Sequence, residues 1–266
     1  MSPLDALVLG VIQGLTEFLP VSSSGHLVLA QALLGLRLNG VAFDVVLHVA
    51  TLSAVLWVYR ERVLALAGGV LRGRAESWRY FGLLLLASVP AGLVGYFGED
   101  FFERVFSRPV AAAAFLLVTG IVVWSIRFAL PRAERETPRA GDAWWVGVAQ
   151  AVSILPGISR SGSTVAAGVW LGVDGIRMAE FSFLMSVPAI AGAAVLQMGD
   201  FGPAAAQVGV PAMVIGFVTA LGAGVLAIRI FLRMLRARSF HYFGYYCWIV
   251  GGGYLIAALL VPGLRG

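Results

Sequence analysis

The sequence predicts an all-α integral membrane protein with six transmembrane helices and two re-entrant helical hairpins related as an inverted-topology repeat. The chain is 59% hydrophobic and only 12% charged, with mean hydropathy +0.89, whereas a soluble domain carries about twice that charged fraction. Six apolar runs are long enough to cross a bilayer, which takes about 20 residues. Two further segments are apolar but are interrupted by proline, serine and glycine, and these two resemble each other.

The six apolar runs are the predicted spans of a single membrane domain that covers 1–266. They lie at about 41–59, 80–98, 109–129, 179–199, 209–231 and 242–261. The interrupted segments, at about 3–36 and 143–173, contain Pro20 and Pro156. Proline removes a backbone donor and clashes with the preceding turn, so a straight spanning helix is disfavoured there. We therefore expect two half-helices in each segment.

The arginines predict the orientation. All 19 basic residues are arginine, and they concentrate in the connections 60–79, 127–142 and 229–240. By the positive-inside rule these connections are cytoplasmic, and 99–108 and 200–208 are outside. The two hairpins then insert from opposite faces, and their tips meet near the midplane. Because the positions of the arginines are explained by membrane topology, the net charge of +5 does not indicate a nucleic-acid partner.

The two interrupted segments match at a constant offset. Four pairs lie 137 residues apart: Gln13 and Gln150, Thr16 and Ser153, Ser24 and Ser161, Gly25 and Gly162. Helix-breaking polar sequence persists at membrane depth only where protein or a water-filled cavity shields it. The paired segments therefore mark the expected functional site.

The first segment carries an acid and several nucleophile candidates. Glu17 follows Gln13 by four residues, so a helix presents both side chains on one face. After the proline break come Ser22, Ser23, Ser24 and His26. A serine becomes a nucleophile when a nearby base takes its proton, and Glu17 and His26 are both candidates for that base. The alternative is structural: a buried ion pair for the carboxylate, and helix caps for the serines.

Arg160 is the most informative residue of the second segment. An arginine in an apolar segment costs several kcal/mol unless it is paired, and its planar fork suits phosphate. The half-helix that it opens attracts anions at its N-terminus. Candidate substrate contacts around it are Gly157, Ser159, Ser161 and Thr164. We expect this anion site to face the serines, glutamate and histidine of the first segment, and the combination indicates phosphoryl chemistry on a membrane-borne substrate. The alternative is that Arg160 only neutralises Glu17.

A metal site is weakly indicated. Asp44 and His48 lie one helical turn apart in the first span, but two ligands alone do not define a site. Glu17 and Asp44 are the candidate carboxylate ligands. The single cysteine, Cys247, excludes an internal disulfide framework.

The two motifs resemble those of the bacterial undecaprenyl pyrophosphate phosphatases, the bacitracin-resistance membrane proteins. The first is Gln13-x-x-x-Glu17-Phe-Leu-Pro-Val-Ser-Ser-Ser-Gly-His26, and the second is Pro156-Gly-x-Ser-Arg160-Ser-x-x-Thr164. Length and span pattern fit the whole chain. Gln13 is within the family pattern, in which this position is Glu or Gln, but it cannot serve as a second carboxylate.

The resemblance implies hydrolysis of a C55 isoprenyl pyrophosphate to the monophosphate in the bacterial cytoplasmic membrane, for reuse of the carrier in peptidoglycan synthesis. It implies Ser23 as nucleophile, Glu17 as its activator and His26 as an acid/base or an orienting group. Arg160 would bind phosphate, with Ser159 and Thr164 in support. Gln13, Ser22 and Ser24 are further candidate substrate contacts. It also implies help from Mg²⁺ or Ca²⁺ and a site that opens toward the outer face.

Alternatives stay open at this point. The nucleophile is Ser23 or His26, and the sequence is compatible with a homodimer. A histidine-nucleophile lipid phosphatase is disfavoured. The pattern of that superfamily has a second histidine a few residues after a Ser-Arg pair, whereas here no histidine follows Ser159-Arg160 until His241. A transporter or flippase for a phosphorylated isoprenoid lipid would use the same inverted hairpins, but binding alone does not require a serine beside a carboxylate.

Overall fold

The computed structural model describes residues 1–34, 42–196 and 208–264, and this part of the chain is helical. Within it there is no β-strand, and one isolated bridge pairs Arg135 with Val173. The helices are α1 (Pro3–Phe18), α2 (Ser23–Leu34), α3 (Ala42–Val58), α4 (Arg60–Leu71), α5 (Ala75–Phe97), α6 (Glu99–Phe106), α7 (Pro109–Ala129), α8 (Ala140–Val152), α9 (Arg160–Trp170), α10 (Gly175–Leu196), α11 (Val210–Arg236) and α12 (Tyr242–Leu260). The prediction of an all-α protein is confirmed.

Four of the described helices are long and apolar enough to cross a membrane: α5, α7 with its short 3₁₀ extension, α11 and α12. They correspond to the predicted spans at 80–98, 109–129, 209–231 and 242–261. A fifth span results if α3 and α4, which meet at 79°, are counted as one. The multi-pass membrane character is thereby supported.

Other predicted elements differ in detail. The predicted span 41–59 corresponds to α3, which has 17 residues. The connection 60–79 is largely helical, because α4 continues from α3 after the bend, and α6 occupies most of 99–108. The predicted span 179–199 begins within α10, but its last residues lie outside the described part of the chain.

Both interrupted segments consist of two helices separated by a break that contains the proline. The first break lies between α1 and α2, and the second lies between α8 and α9. Each break contains one residue in the left-handed region, Ser22 with φ 67° and Gly157 with φ 97°. L-residues adopt this region at a cost of about 1–2 kcal/mol. The strained Ser22 conformation therefore depends on contacts made by the break.

Glycines let the half-helices pack closely against long helices. A Cβ added at Gly14 on α1 would come within 2.4 Å of the Ala220 carbonyl oxygen on α11. A Cβ added at Gly147 on α8 would come within 2.5 Å of the Ala87 carbonyl oxygen on α5. Gly10, which is 137 residues before Gly147, also packs against α11. Each hairpin is therefore anchored through its first half-helix.

Candidate active site

Glu17 lies at the centre of a buried hydrogen-bond network near the end of α1. Its Oε2 accepts from Ser23 Oγ at 2.6 Å and from Gln13 Nε2 at 3.1 Å. Its Oε1 accepts from Arg160 Nη2 at 2.6 Å. The carboxylate is 8% exposed, and charge-assisted bonds of this kind offset the cost of burying it. The network joins the acid, the serine and the arginine that the sequence singled out.

Arg160 is the first residue of α9, immediately after the N-cap Ser159. Its side chain is 16% exposed. One guanidinium nitrogen bonds Glu17, while Nη1 is buried without a hydrogen-bond partner in the described part of the chain. Gln13 Oε1 is also buried without a partner there. Buried polar atoms normally have partners, so these two atoms indicate that the site is incomplete without a polar ligand or water.

The two breaks are bonded directly to each other. Ser22 Oγ accepts from the Gly157 amide at 3.1 Å, and Ser161 Oγ donates to the Leu19 carbonyl at 3.2 Å. A Cβ added at Gly25 would come within 2.9 Å of Gly157 Cα. Only glycine permits this approach, which explains the paired glycine-rich motifs. The contacts also hold Ser22 in its left-handed conformation.

His26 lies on α2 but is bonded away from the Glu17 network. Its Nδ1 contacts the Ser22 carbonyl at 2.8 Å, and its Nε2 contacts the Tyr246 hydroxyl at 3.0 Å. A carbonyl can only accept, so Nδ1 carries the proton, and in the neutral ring Nε2 accepts from Tyr246. The two rings are stacked, with centroids 5.6 Å apart. Both ring nitrogens are therefore occupied by groups other than Ser23.

The other predicted substrate contacts have local partners. Ser24 Oγ lies 3.3 Å from Ser22 Oγ. Ser159 Oγ caps α9 by accepting from the Gly162 amide at 3.1 Å. Thr164 Oγ1 bonds the Arg160 carbonyl at 2.7 Å and lies 2.6 Å from Ser182 Oγ. The Thr164 hydroxyl thus joins α9 to α10 and is not directed at the guanidinium.

Two site neighbours escaped the sequence analysis. Thr119, at the middle of α7, donates to the Gly157 carbonyl at 2.7 Å and accepts from the Ser159 amide at 2.9 Å. Tyr246 on α12 bonds His26. A threonine–glycine pair within an apolar span was the available signal for Thr119. No local pattern identified Tyr246.

Carboxylates that could contact a divalent cation are few. The described ranges contain no group of three His, Cys, Asp or Glu side chains suited to a metal. Asp44 Oδ1 is buried without a partner there, and His48 Nδ1 lies 2.7 Å from the Asp44 backbone oxygen. Oxygen donors such as Asp44 and Glu17 fit Mg²⁺ or Ca²⁺, and Mg²⁺ commonly uses one or two carboxylates together with substrate phosphates.

Comparison with known proteins finds relatives that match nearly the whole chain. The chain is 41% identical to an undecaprenyl-diphosphatase of Desulfatibacillum aliphaticivorans over 96% of its own length and 98% of the relative. It is 42% identical to one of Rubrobacter xylanophilus, over 97% and 98% of the two chains, and 40% identical to one of Carboxydothermus hydrogenoformans, over 94% and 95%. The family model described as bacitracin resistance protein BacA matches residues 6–253. The chain therefore belongs to the bacitracin resistance protein BacA family.

Proposed function

We propose that this protein is a membrane phosphatase that hydrolyses undecaprenyl pyrophosphate to undecaprenyl phosphate and inorganic phosphate. The observation that carries the proposal is the contact of the Glu17 carboxylate with both the Ser23 hydroxyl and the Arg160 guanidinium, each at 2.6 Å. A base, a nucleophile and a phosphate-binding cation are thereby adjacent. Relatives of nearly equal length carry the name undecaprenyl-diphosphatase.

In the proposed mechanism Ser23 Oγ attacks the terminal phosphorus while its proton passes to Glu17. The new Ser23 O–P bond replaces the bond to the bridging oxygen, and the lipid leaves as the monophosphate. Glu17 passes this proton to the departing monophosphate and is a carboxylate again. Water then attacks the phosphoseryl phosphorus while Glu17 takes its proton, the Ser23 O–P bond breaks and phosphate leaves, and Glu17 returns the proton to Ser23 Oγ. Arg160 neutralises charge on the phosphoryl oxygens, and its free Nη1 supplies a donor that Glu17 does not use.

We propose Ser23 over His26 as the nucleophile. Ser23 donates to the carboxylate that would remove its proton, whereas His26 bonds Ser22 and Tyr246. His26 then acts as an orienting group for the turn at Ser22. We propose Gln13, Ser22, Ser24, Gly157, Ser159 and Ser161 as further substrate contacts.

A divalent cation fits the donor set as a partner of the substrate. Glu17 and Asp44 would hold Mg²⁺ or Ca²⁺ together with phosphate oxygens, and the unpartnered Asp44 Oδ1 supports this. Such an ion supplies charge neutralisation to the pyrophosphate.

For the whole chain we propose the topology of six spans with two re-entrant hairpins related as an inverted repeat. Three features support it: the 137-residue offset, the pairs Gly10–α11 and Gly147–α5, and the arginine-rich connections. Thr119 bonds Gly157 in the second break, and Gly224 packs against Gly14 in α1. These two residues lie near the middles of the long helices α7 and α11. The site is then at membrane depth in the bacterial cytoplasmic membrane and opens outward. A homodimer is also part of this proposal.

The transporter alternative retains one supporting feature, because paired hairpins meeting at a common site are a transporter arrangement. Phosphate release from farnesyl or undecaprenyl pyrophosphate by purified protein in detergent separates the two functions. We expect release that increases with added Mg²⁺ or Ca²⁺. Protein that is monodisperse and binds the lipid pyrophosphate, but releases no phosphate, would contradict the phosphatase and favour the transporter.

A further inference from the structure

Thr119 bonds two backbone groups of the second break through a single hydroxyl. Its Oγ1 donates to the Gly157 carbonyl at 2.7 Å and accepts from the Ser159 amide at 2.9 Å. Both groups lie in a segment without helical hydrogen bonds, and Thr119 is only 1% exposed. The threonine therefore supplies, from a different helix, partners that the break cannot supply itself.

These bonds act directly before Arg160. Ser159 is the N-cap of α9, and Arg160 is the first helical residue. Gly157 is held on its amide side by Ser22 Oγ at 3.1 Å and on its carbonyl side by Thr119. The break also touches α7 closely, since a Cβ added at Gly157 would come within 2.1 Å of the Ala112 oxygen. The direction of the first turn of α9 is thus fixed against α7.

We infer that Thr119 is a positioning residue that holds the start of α9, and with it the Arg160 guanidinium, in the geometry that binds the substrate's phosphates. Thr119 itself does not touch the network around Glu17; it acts through the backbone of Gly157 and Ser159. This inference rests on the proposed function for its effect on turnover, but it also predicts an effect on anion binding that does not depend on turnover.

Thr119→Val tests the inference because it keeps the volume and removes the hydroxyl. We expect kcat/KM for farnesyl pyrophosphate to fall about tenfold or more, as for the loss of a buried hydrogen bond, and Thr119→Ser to restore it. Thr219→Val is the matched control, since the Thr219 hydroxyl bonds only carbonyls of its own helix. Equal activity of Thr119→Val and wild type, or failure of Thr119→Ser to restore it, would overturn the inference.

A double-mutant cycle tests whether Thr119 acts through Arg160. In an Arg160→Lys background, which removes the planar fork, the loss caused by Thr119→Val should be much smaller than in wild type. An unchanged loss would mean that Thr119 affects activity independently of Arg160.

If Thr119→Val is not recovered as monodisperse protein, Thr119→Cys replaces it, since a thiol is a weak hydrogen-bond group. Activity of Thr119→Cys equal to that of Thr119→Ser would then overturn the inference.

Inorganic pyrophosphate provides the readout that is independent of turnover. Ligand binding to the folded protein raises its thermal stability, so a titration followed by thermal unfolding gives its affinity. We expect about tenfold weaker binding by Thr119→Val than by wild type, and wild-type affinity for Thr119→Ser and Thr219→Val. Intact binding without phosphate release would contradict the proposed reaction alone. Absence of binding by wild type, or equal affinity of Thr119→Val, would overturn the positioning role.

Discussion

At the residue scale, Glu17 receives hydrogen bonds from Gln13, Ser23 and Arg160, which come from both hairpins. A buried carboxylate and guanidinium each cost several kcal/mol to desolvate, and their mutual contact offsets that cost only while both are present. The same bonds that make the burial tolerable direct Oε2 at the Ser23 hydroxyl. Stability and chemistry therefore depend on one ion pair.

Arg160→Ala should destabilise the protein by about 3–5 kcal/mol because it leaves the Glu17 charge buried and unpaired. Thermal unfolding in detergent measures the change, and Glu17→Gln introduced into the same chain should recover much of it. Arg60→Ala is the control, because the Arg60 side chain is 57% exposed and its bond to Glu61 is a surface pair. An Arg160→Ala protein as stable as wild type would contradict the paired burial.

At the element scale, the two breaks depend on residues that permit close backbone approach. Gly157 combines a φ of 97° with a close approach to α7, because an added Cβ would lie 2.1 Å from the Ala112 carbonyl oxygen. Ser22 Oγ replaces a missing backbone partner by accepting from the Gly157 amide. The breaks are thus ordered by bonds to each other and to α7, and not by either hairpin alone.

Gly157→Ala should lower activity at least about tenfold and reduce thermal stability, since the new Cβ adds left-handed strain and would meet the Ala112 oxygen. Phosphate release and thermal unfolding measure the two effects. Gly82→Ala on α5 is the control, because nothing lies within 4 Å of its Cβ position. Comparable behaviour of the two variants would refute the requirement for glycine in the break.

Sequence patterns predicted the long apolar helices and both interruptions because hydrophobic length and proline act locally. They also singled out Glu17, Ser23 and Arg160 as candidates, since polar residues in apolar segments are costly and therefore informative, and the fold brings these three side chains into contact. They did not find Thr119 or the bond of Tyr246 to His26, because these contacts depend on packing between helices distant in sequence. The sequence analysis also missed the helix α4. Its arginines were interpreted as marking a connection, but arginine is a good helix former and does not distinguish a helix from a loop.

At the scale of the whole molecule, the arginine-rich connections and the paired motifs lead to the same proposed arrangement. The chain's only cysteine, Cys247, is buried. A cysteine introduced at an exposed position can therefore show, by its reaction with a thiol reagent, on which side of the membrane that position lies. Ser107 follows α6 and Glu134 follows α7, and both are exposed. In the proposed orientation the first lies outside and the second lies in the cytoplasm.

Ser107→Cys should react with a membrane-impermeant thiol reagent in intact cells, and Glu134→Cys should react only after the membrane is permeabilised. Gel-shift labelling measures both, with the unmodified chain as the control for Cys247. Labelling of Glu134→Cys alone in intact cells would reverse the orientation and direct the site to the cytoplasm.

The most direct test of the central claim is the rate of phosphate release from undecaprenyl pyrophosphate by Ser23→Ala compared with wild type. Ser88→Ala is the matched control, since the Ser88 hydroxyl bonds a carbonyl of its own helix. We predict that kcat of Ser23→Ala falls by about a thousandfold or more, as when a nucleophile is removed, while Ser88→Ala retains wild-type turnover. Wild-type turnover by Ser23→Ala would contradict Ser23 as the nucleophile of this site.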